Sequence, residues 1–320
     1  MNNNQKKLTI VVPCFNEEAV LNDSAAALSK VLKRMIDQKK VAADSRICFV
    51  DDGSYDNTWS MITKLSSQSA LIEGIRLTRN FGHQGALLAG LFSVFSDAYV
   101  TIDADLQDDE SVIPEMVDKY RAGNDIVYGV RGSRKSDTFF KRTTATMYYR
   151  FLRILGVKSI YNHADFRLMS ERAVSLLRRF PEKNLFLRAT VPLIGLDSTI
   201  IHFDRKKREK GESKYPLGKM ISFAWDGITS FSVVPLRVVT ALGFSIVILS
   251  VPLVGYSIYR WLSNGTVAGW TSLITIICLF SGVQLLSLGI IGEYIGKIYK
   301  ETKNRPSYLI GERTDSGDLS

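Results

Sequence analysis

Cysteine is scarce in this sequence: Cys14, Cys48 and Cys278 are the only three in 320 residues, and they lie far apart. With neither pairing nor metal-ligand spacing, they exclude a disulfide scaffold and a cysteine zinc site, and fit a reduced chain in the cytosol or buried in a membrane. Charge is also thin, at 23% of residues against 46% hydrophobic. A soluble enzyme of this length is usually more polar, so part of the chain is expected in lipid. The sequence contains no G-x-x-x-x-G-K-[ST] and no G-x-G-x-x-G, which leaves P-loop and dinucleotide-binding readings without support. The opening MNNNQKK has no apolar core, so no cleavable signal peptide is expected. The charge that is present leans positive, +9 net. That balance points to nucleic acid, an anionic membrane surface or phosphorylated substrates.

The two halves differ in composition. From Lys7 to about Thr199, apolar β-rich runs appear at 8–12, 47–50, 74–77, 99–102 and 126–128. Between them lie helical patterns at 18–35, from Asp56 or Asn57 onward, and at 112–120. Alternation of this kind predicts βαβ units and a mostly parallel sheet, with ligands beyond the carboxyl ends of the strands. The second half carries no charge from Val238 to Tyr259, nor from Leu262 to Gly292. Each run is long enough to cross a hydrocarbon core of about 30 Å as a helix. Two long helices in a soluble core are the alternative. The connector SNGTVAG lacks Lys and Arg, whereas Lys297, Lys300, Lys303 and Arg305 follow the second run. This bias places both termini and the whole first half in the cytoplasm. Residues 204–220 form a basic stretch suited to an anionic leaflet or to closing over a phosphate. Residues 217–232 suggest an amphipathic helix, lying on a membrane or packed on the globular part. The expected divisions are 1–216, 217–232, 233–296 and 297–320, the last a basic cytoplasmic tail.

The stretch TIDADLQDDE, residues 101–110, packs five carboxylates behind a short apolar run. Asp103 and Asp105 flank one residue at the predicted end of a strand, where a divalent cation would relieve their repulsion. An all-oxygen donor set suits Mg²⁺ or Mn²⁺ shared with substrate phosphates. Asp108, Asp109 and Glu110 suit a helix N-terminus. Asn16 and Glu17, in VVPCFNEE, could hydrogen-bond a base or ribose, or cap a helix. Asp51 and Asp52, before Gly53, could receive ribose or base donors, or form an Asx turn. With TRNFGHQGA at 78–86, these polar loops describe a pocket for a nucleoside diphosphate and a metal.

The order PCFNEE, DDGS, R-N-x-G-x-x-x-A, DADLQDD, VYGVR, ADFRLM and GESKYP resembles the polyprenyl-phosphate glycosyltransferases of glycosyltransferase family 2, from about Leu8 to Arg305. The two-run second half looks most like the bactoprenol glucosyltransferases. The Q-x-x-R-W motif of processive members is absent. The resemblance implies an α/β GT-A fold, a Rossmann-like mostly parallel sheet followed by two transmembrane helices. It implies a catalytic domain and both termini on the cytoplasmic side of a bacterial inner membrane. It implies inverting transfer of a hexose, taken as glucose from UDP-glucose, to undecaprenyl phosphate. In it Pro13, Asn16, Glu17 and Asp52 hold the nucleoside. Asp103, Asp105 and Gln107 hold Mg²⁺ or Mn²⁺ and the donor diphosphate. Arg208 and Lys214 close on the donor phosphates, while Arg131, Arg142 and Thr146 grip the lipid phosphate. Asp165 matches the aspartate assigned as catalytic base, although a dianionic phosphate nucleophile needs no base. A homo-oligomer, as a tetramer, is implied too, and nucleic acid is not among the partners.

Overall fold

The computed structural model describes residues 5–132, 163–180, 182, 187–203, 234–263 and 269–314. The chain divides into two compact units. One holds the sheet and takes in the chain from Arg305 onward, and the other holds two long helices.

The sheet unit starts as the alternation predicts. Strands β1 (Leu8–Cys14), β2 (Arg46–Asp51), β3 (Ile72–Leu77) and β4 (Ala98–Thr101) alternate with helices α1 (Leu21–Asp37), α2 (Thr58–Gln68) and α3 (His83–Ser93). Helix α4 (Ile113–Arg121) then leads to β5 (Ile126–Arg131). Strand β1 is buried along its whole length, which is why it reads as a continuous apolar run rather than an alternation. The next elements are β6 (His163–Ser170), α5 (Glu171–Leu177), α6 (Leu187–Leu193), β7 (Ser198–Phe203) and β8 (Ile310–Arg313). The eight strands order as β7-β5-β6-β4-β1-β2-β3-β8. β1 pairs parallel with β2 and β4, β2 with β3, and β5 with β7. β6 and β8 run antiparallel to their neighbours. This is the mostly parallel, Rossmann-like GT-A architecture. Because β6 is reversed, its first residues lie at the same sheet edge as the last residues of β4 and β5. That edge gathers the site.

Helix α3 escapes the sequence pattern because nearly every face is covered. Gly85 through Leu91 are all buried, so no polar stripe marks a period. It lies close to the sheet: a Cβ on Gly90 would stand 2.3 Å from the Val11 side chain. Strand β6 is hidden for another reason, since Asp165 and Arg167 are charged yet buried.

Residues 297–314 do not form a separate tail. The second long helix runs to Thr302, and Ile310–Arg313 then pair with β3 as an edge strand. Tyr308 and Ile310 pack on the core beside α3. The Glu312 carboxylate accepts from Trp59 Nε1 (3.1 Å) and Arg76 Nη1 (3.0 Å). Thr314 Oγ1 accepts the Gly74 amide at 2.8 Å. A four-residue strand with two charges has no pattern of its own, and the partners that define it lie more than 200 residues earlier.

The second unit contains α7 (Val234–Leu262, 29 residues) and α8 (Trp270–Thr302, 33 residues). Counting only described residues, no helix is long and apolar enough to cross a membrane. The expected two spans are therefore not established by the fold. The 217–232 helix and the SNGTVAG connector's residues 264–268 lie outside the described residues.

Candidate active site

Three loops at the carboxyl ends of β1, β2 and β3 are stitched together, and most of the polar residues expected to hold a nucleoside do the stitching. The Asn16 amide donates to Ser54 Oγ (2.9 Å), and Asn16 Oδ1 accepts the Tyr55 amide (2.9 Å). The Glu17 amide donates to Thr58 Oγ1 at 2.9 Å. Glu18 accepts from both the backbone and the side chain of Asn57. Asn16 takes φ +55° to do this, a conformation Asn tolerates better than most residues. Gly53 is at φ +70°, and a Cβ there would meet the backbone of Arg79 at 2.7 Å. The β2 loop therefore passes directly under the β3 loop.

Asp52 joins those two loops. Its carboxylate accepts the amides of Phe81 (2.7 Å) and Gly82 (2.9 Å), and it is 2% exposed. Burial raises its carboxyl above the ordinary value, opposed by these two bonds. In this structure Asp52 positions the start of α3, with both oxygens engaged by backbone, rather than presenting an open carboxylate to a nucleoside. Pro13 sits within β1, in register with Val50 of β2.

The acidic stretch follows β4. Asp103 and Asp105 are partly exposed and Gln107 is buried. Asp105 Oδ1 accepts the Gln107 amide at 3.1 Å, around Leu106 at φ +50°. Asp109 caps the short 3₁₀ turn Glu110–Val112 by accepting the Ser111 amide. The predicted helix-terminus role thus falls to Asp109. Burial raises the Asp103 carboxyl above its ordinary value; His83 opposes the rise, and Asp165, Asp108 and Asp105 add to it. Among the described residues, no three His, Cys, Asp or Glu side chains gather to hold a metal ion.

Beside this acidic group lies a cluster that the sequence reading largely missed. Asp165, 7% exposed, opens β6. Arg167 Nη2 donates to its Oδ1 at 2.6 Å. Arg188 grips it from α6, through Nε to both oxygens at 3.2 Å and through Nη2 to Oδ2 at 2.8 Å. His83 Nε2 stands 3.7 Å from Asp165 Oδ2 and 3.6 Å from Asp103 Oδ1. The Thr101 hydroxyl donates to the Asp165 carbonyl, tying β4 to β6 at this point. Burial alone would raise the Asp165 carboxyl. The nearby His83 and the Arg167 and Arg188 guanidiniums outweigh it and hold the group well below the usual carboxylate range. Burial likewise would lower the His83 imidazole, but Asp165 and Asp103 raise it above its ordinary value.

Both Asp165 oxygens are thus engaged by guanidiniums from β6 and α6. Asp165 was legible in ADFRLM. His83 lay within the singled-out TRNFGHQGA stretch, but nothing local marked it as a partner of Asp103. Arg188 had no local signal: it reaches the site because α6 folds back on β6. Arg131 ends β5 at the same sheet edge. Its side chain, together with Arg142, Thr146, Arg208 and Lys214, lies outside the described residues.

Two family models match this chain, "Glycosyl transferase family 2" over residues 9–177 and "GtrB C-terminal hairpin" over residues 234–298. An uncharacterized glycosyltransferase of Bacillus subtilis, YkoT, is 54% identical over 97% of this chain and 93% of its own. The bactoprenol glucosyl transferase of Shigella phage SfX is 38% identical over 96% of this chain and 99% of its own. A solved mannosyltransferase from Pyrobaculum calidifontis, in complex with GDP-Man and Mn²⁺, overlays 94% of this chain and 88% of its own at 15% identity, with a TM-score of 0.45. The match over residues 9–177 and relatives of this identity over nearly the whole chain place the protein in glycosyltransferase family 2.

Proposed function

We propose that the protein transfers a hexose, glucose from UDP-glucose, to undecaprenyl phosphate with inversion at the anomeric carbon. The observation that carries this reading is the order of groups along one sheet edge. The loops of β1 and β2 form one end, the acidic turn after β4 comes next, and the cationic cluster around Asp165 on β6 follows. Whole-length similarity to a bactoprenol glucosyl transferase supplies the acceptor class.

In the reaction, a phosphate oxygen of the lipid attacks the sugar C1. The bond from C1 to the donor β-phosphate oxygen breaks, and UDP leaves with the electron pair. The second pKa of a phosphomonoester is about 6, so the nucleophile is mostly dianionic at neutral pH and no proton need be removed. Asp165 then serves as an anion that orders Arg167, Arg188 and His83. Asp103 and Asp105, with Gln107 behind them, fit a hard divalent cation, Mg²⁺ or Mn²⁺. They offer oxygen only, and the carboxylates of Asp165, Asp108 and Asp105 press like charge on Asp103. When bound, such an ion would stabilise the departing diphosphate.

The assay offers a panel of sugar nucleotides and undecaprenyl phosphate to the full chain in detergent. The expected outcome is a sugar-bearing lipid and stoichiometric UDP, both abolished by excess EDTA. Transfer to a water-soluble acceptor without lipid phosphate would replace this reading with a soluble-acceptor enzyme. Donor binding without turnover would make the protein a sugar-nucleotide scaffold.

The same reading places α7 and α8 in the cytoplasmic membrane of a bacterium as two spans. At about 1.5 Å per residue, both are longer than the roughly 30 Å hydrocarbon core. Phe244, Leu249, Val251, Leu285, Leu286 and Leu288 are exposed in the isolated chain, an amount of apolar surface that calls for lipid or a partner. Lys and Arg follow the second helix and are absent from the SNGTVAG connector, which supports two crossings with that connector outside the cytoplasm. Thr266→Cys should react with an impermeant maleimide in outer-membrane-permeabilised cells, and Ser316→Cys should not. The opposite labelling pattern would invert the topology.

A further inference from the structure

We infer that Arg76 and Glu312 are positioning residues for the donor's nucleoside, acting through Asp51 on the loops after β1 and β2, an assignment that deepens the reading above and rests on it.

Four strands contribute to one row. In register, Cys14 of β1 lies beside Asp51 of β2, Asp51 beside Arg76 of β3, and Arg76 beside Glu312 of β8. Side chains that are neighbours across strands interact directly. Arg76 Nε stands 3.5 Å from Asp51 Oδ2, and Arg76 Nη1 donates to Glu312 Oε1 at 3.0 Å. The guanidinium also lies 5.9 Å from the centre of the Trp59 ring, and Trp59 Nε1 donates to Glu312 Oε2 at 3.1 Å. Glu312 and Trp59 thus fix the guanidinium from outside, with its Nε toward Asp51.

Exposure changes along the row. The Asp51 side chain is 0% exposed, whereas Arg76 and Glu312 are 35% and 56% exposed. A half-exposed pair at a sheet edge adds little to stability. A fully buried carboxylate, in contrast, needs compensation for its lost water. Asp51 Oδ1 accepts the Ser54 amide at 3.2 Å. Among the described residues Oδ2 accepts no hydrogen bond, and Arg76 is the cation beside it. Cys14, on the other side of Asp51, is a thiol that burial pushes toward its neutral form, so it brings no positive charge. Burial also pushes the Asp51 carboxyl up, and Ser54 and Arg76 oppose the rise. Arg76 therefore helps Asp51 keep its charge, and with it the hold on Ser54.

Ser54 is where the row meets the donor loops. Its Oγ accepts the Asn16 amide at 2.9 Å, and Asn16 Oδ1 accepts the Tyr55 amide at 2.9 Å. These bonds support Asn16 at φ +55°, a conformation uncommon outside glycine. The connection runs from Glu312 through Arg76, Asp51 and Ser54 to Asn16. The last strand of the chain thereby sets the geometry where the first two strands are expected to meet the nucleoside.

The test uses the full chain in detergent, with UDP-glucose and undecaprenyl phosphate as probes. Arg76→Met keeps the length and the packing on Trp59 but removes the charge. It is expected to raise the UDP-glucose dissociation constant, read by calorimetry, about tenfold, the scale of losing one charged contact. KM for the lipid phosphate and kcat at saturating donor should stay within about twofold of wild type, the signature of lost donor binding alone. Arg76→Lys should recover part of the donor affinity. Glu312→Gln still accepts from Trp59 but loses its charge, and should weaken donor binding in the same direction by a smaller factor. It also carries the test if Arg76→Met does not fold. A lowered Tm with unchanged donor affinity in these variants would reduce the row to an edge-strand contact and overturn the assignment. Equal losses for donor and lipid, or a loss confined to lipid, would overturn it too. A wild type that transfers nothing to lipid phosphate would overturn the proposed function, and this assignment with it. Wild-type transfer combined with an unaffected Arg76→Met overturns the assignment alone.

Discussion

Asp165→Asn should lower the stability of the folded chain by about 3–5 kcal/mol, the cost of breaking a buried ion pair by removing one partner. Arg167 is fully buried, and its short contact with Asp165 is its compensation for leaving water. The neutral amide leaves two guanidiniums facing one another across an uncharged group. Transfer activity should fall as well, because Arg188 and His83 lose the anion that orients them. The fall alone does not identify a base. The pH profile does: its acidic limb should follow the lipid phosphate near pH 6, in wild type and variant alike. A limb present in wild type and missing from the variant would restore Asp165 as the base. Stability gives a second check on sign. The Asp165 carboxyl is held below its ordinary value in the folded state, so its contribution is full above the unfolded value of about 3.9. That contribution is lost as pH falls from there through the folded value. Acid denaturation of Asp165→Asn should lack this component, measured as a shallower dependence of Tm on pH below about 4.

Asp103→Asn should behave in the opposite way: little or no loss of stability and a loss of transfer of about 10²–10³-fold or more, the scale of removing one preorganised group that stabilises developing charge. Burial and three nearby carboxylates push the Asp103 carboxyl up. A raised carboxyl costs the folded state stability once pH exceeds the unfolded value, so replacing it with an amide relieves strain rather than creating it. Neutral-pH Tm of Asp103→Asn should equal or exceed that of wild type. An aspartate that is costly to fold and costly to lose is the pattern of a residue retained for function. Retention of wild-type, EDTA-sensitive transfer in Asp103→Asn would remove this residue from the site. The two aspartates thus separate by experiment.

The sequence by itself determined the strands β1 to β5, because their apolar runs are the condition for burial in a parallel sheet. It also determined the crowding at Asp103 and Asp105, since repulsion between near neighbours in sequence needs no fold to be recognised. The two uncharged runs were equally legible, as helices α7 and α8. Tertiary structure decided the rest, wherever a residue's meaning lies in a partner distant in sequence. Asp52 reads as a ligand in DDGS, yet its oxygens are taken by amides 29 and 30 residues away. Glu312 and Thr314 read as solvated tail, yet they pair with residues 236 to 253 positions earlier. Arg188 is one charge in an otherwise apolar helix until α6 returns to β6 and places it 2.8 Å from Asp165. Local pattern records burial and spacing, which act over a turn or a strand. Electrostatic partnership acts through space, so only the folded chain could show that the Asp165 carboxylate is locked between guanidiniums.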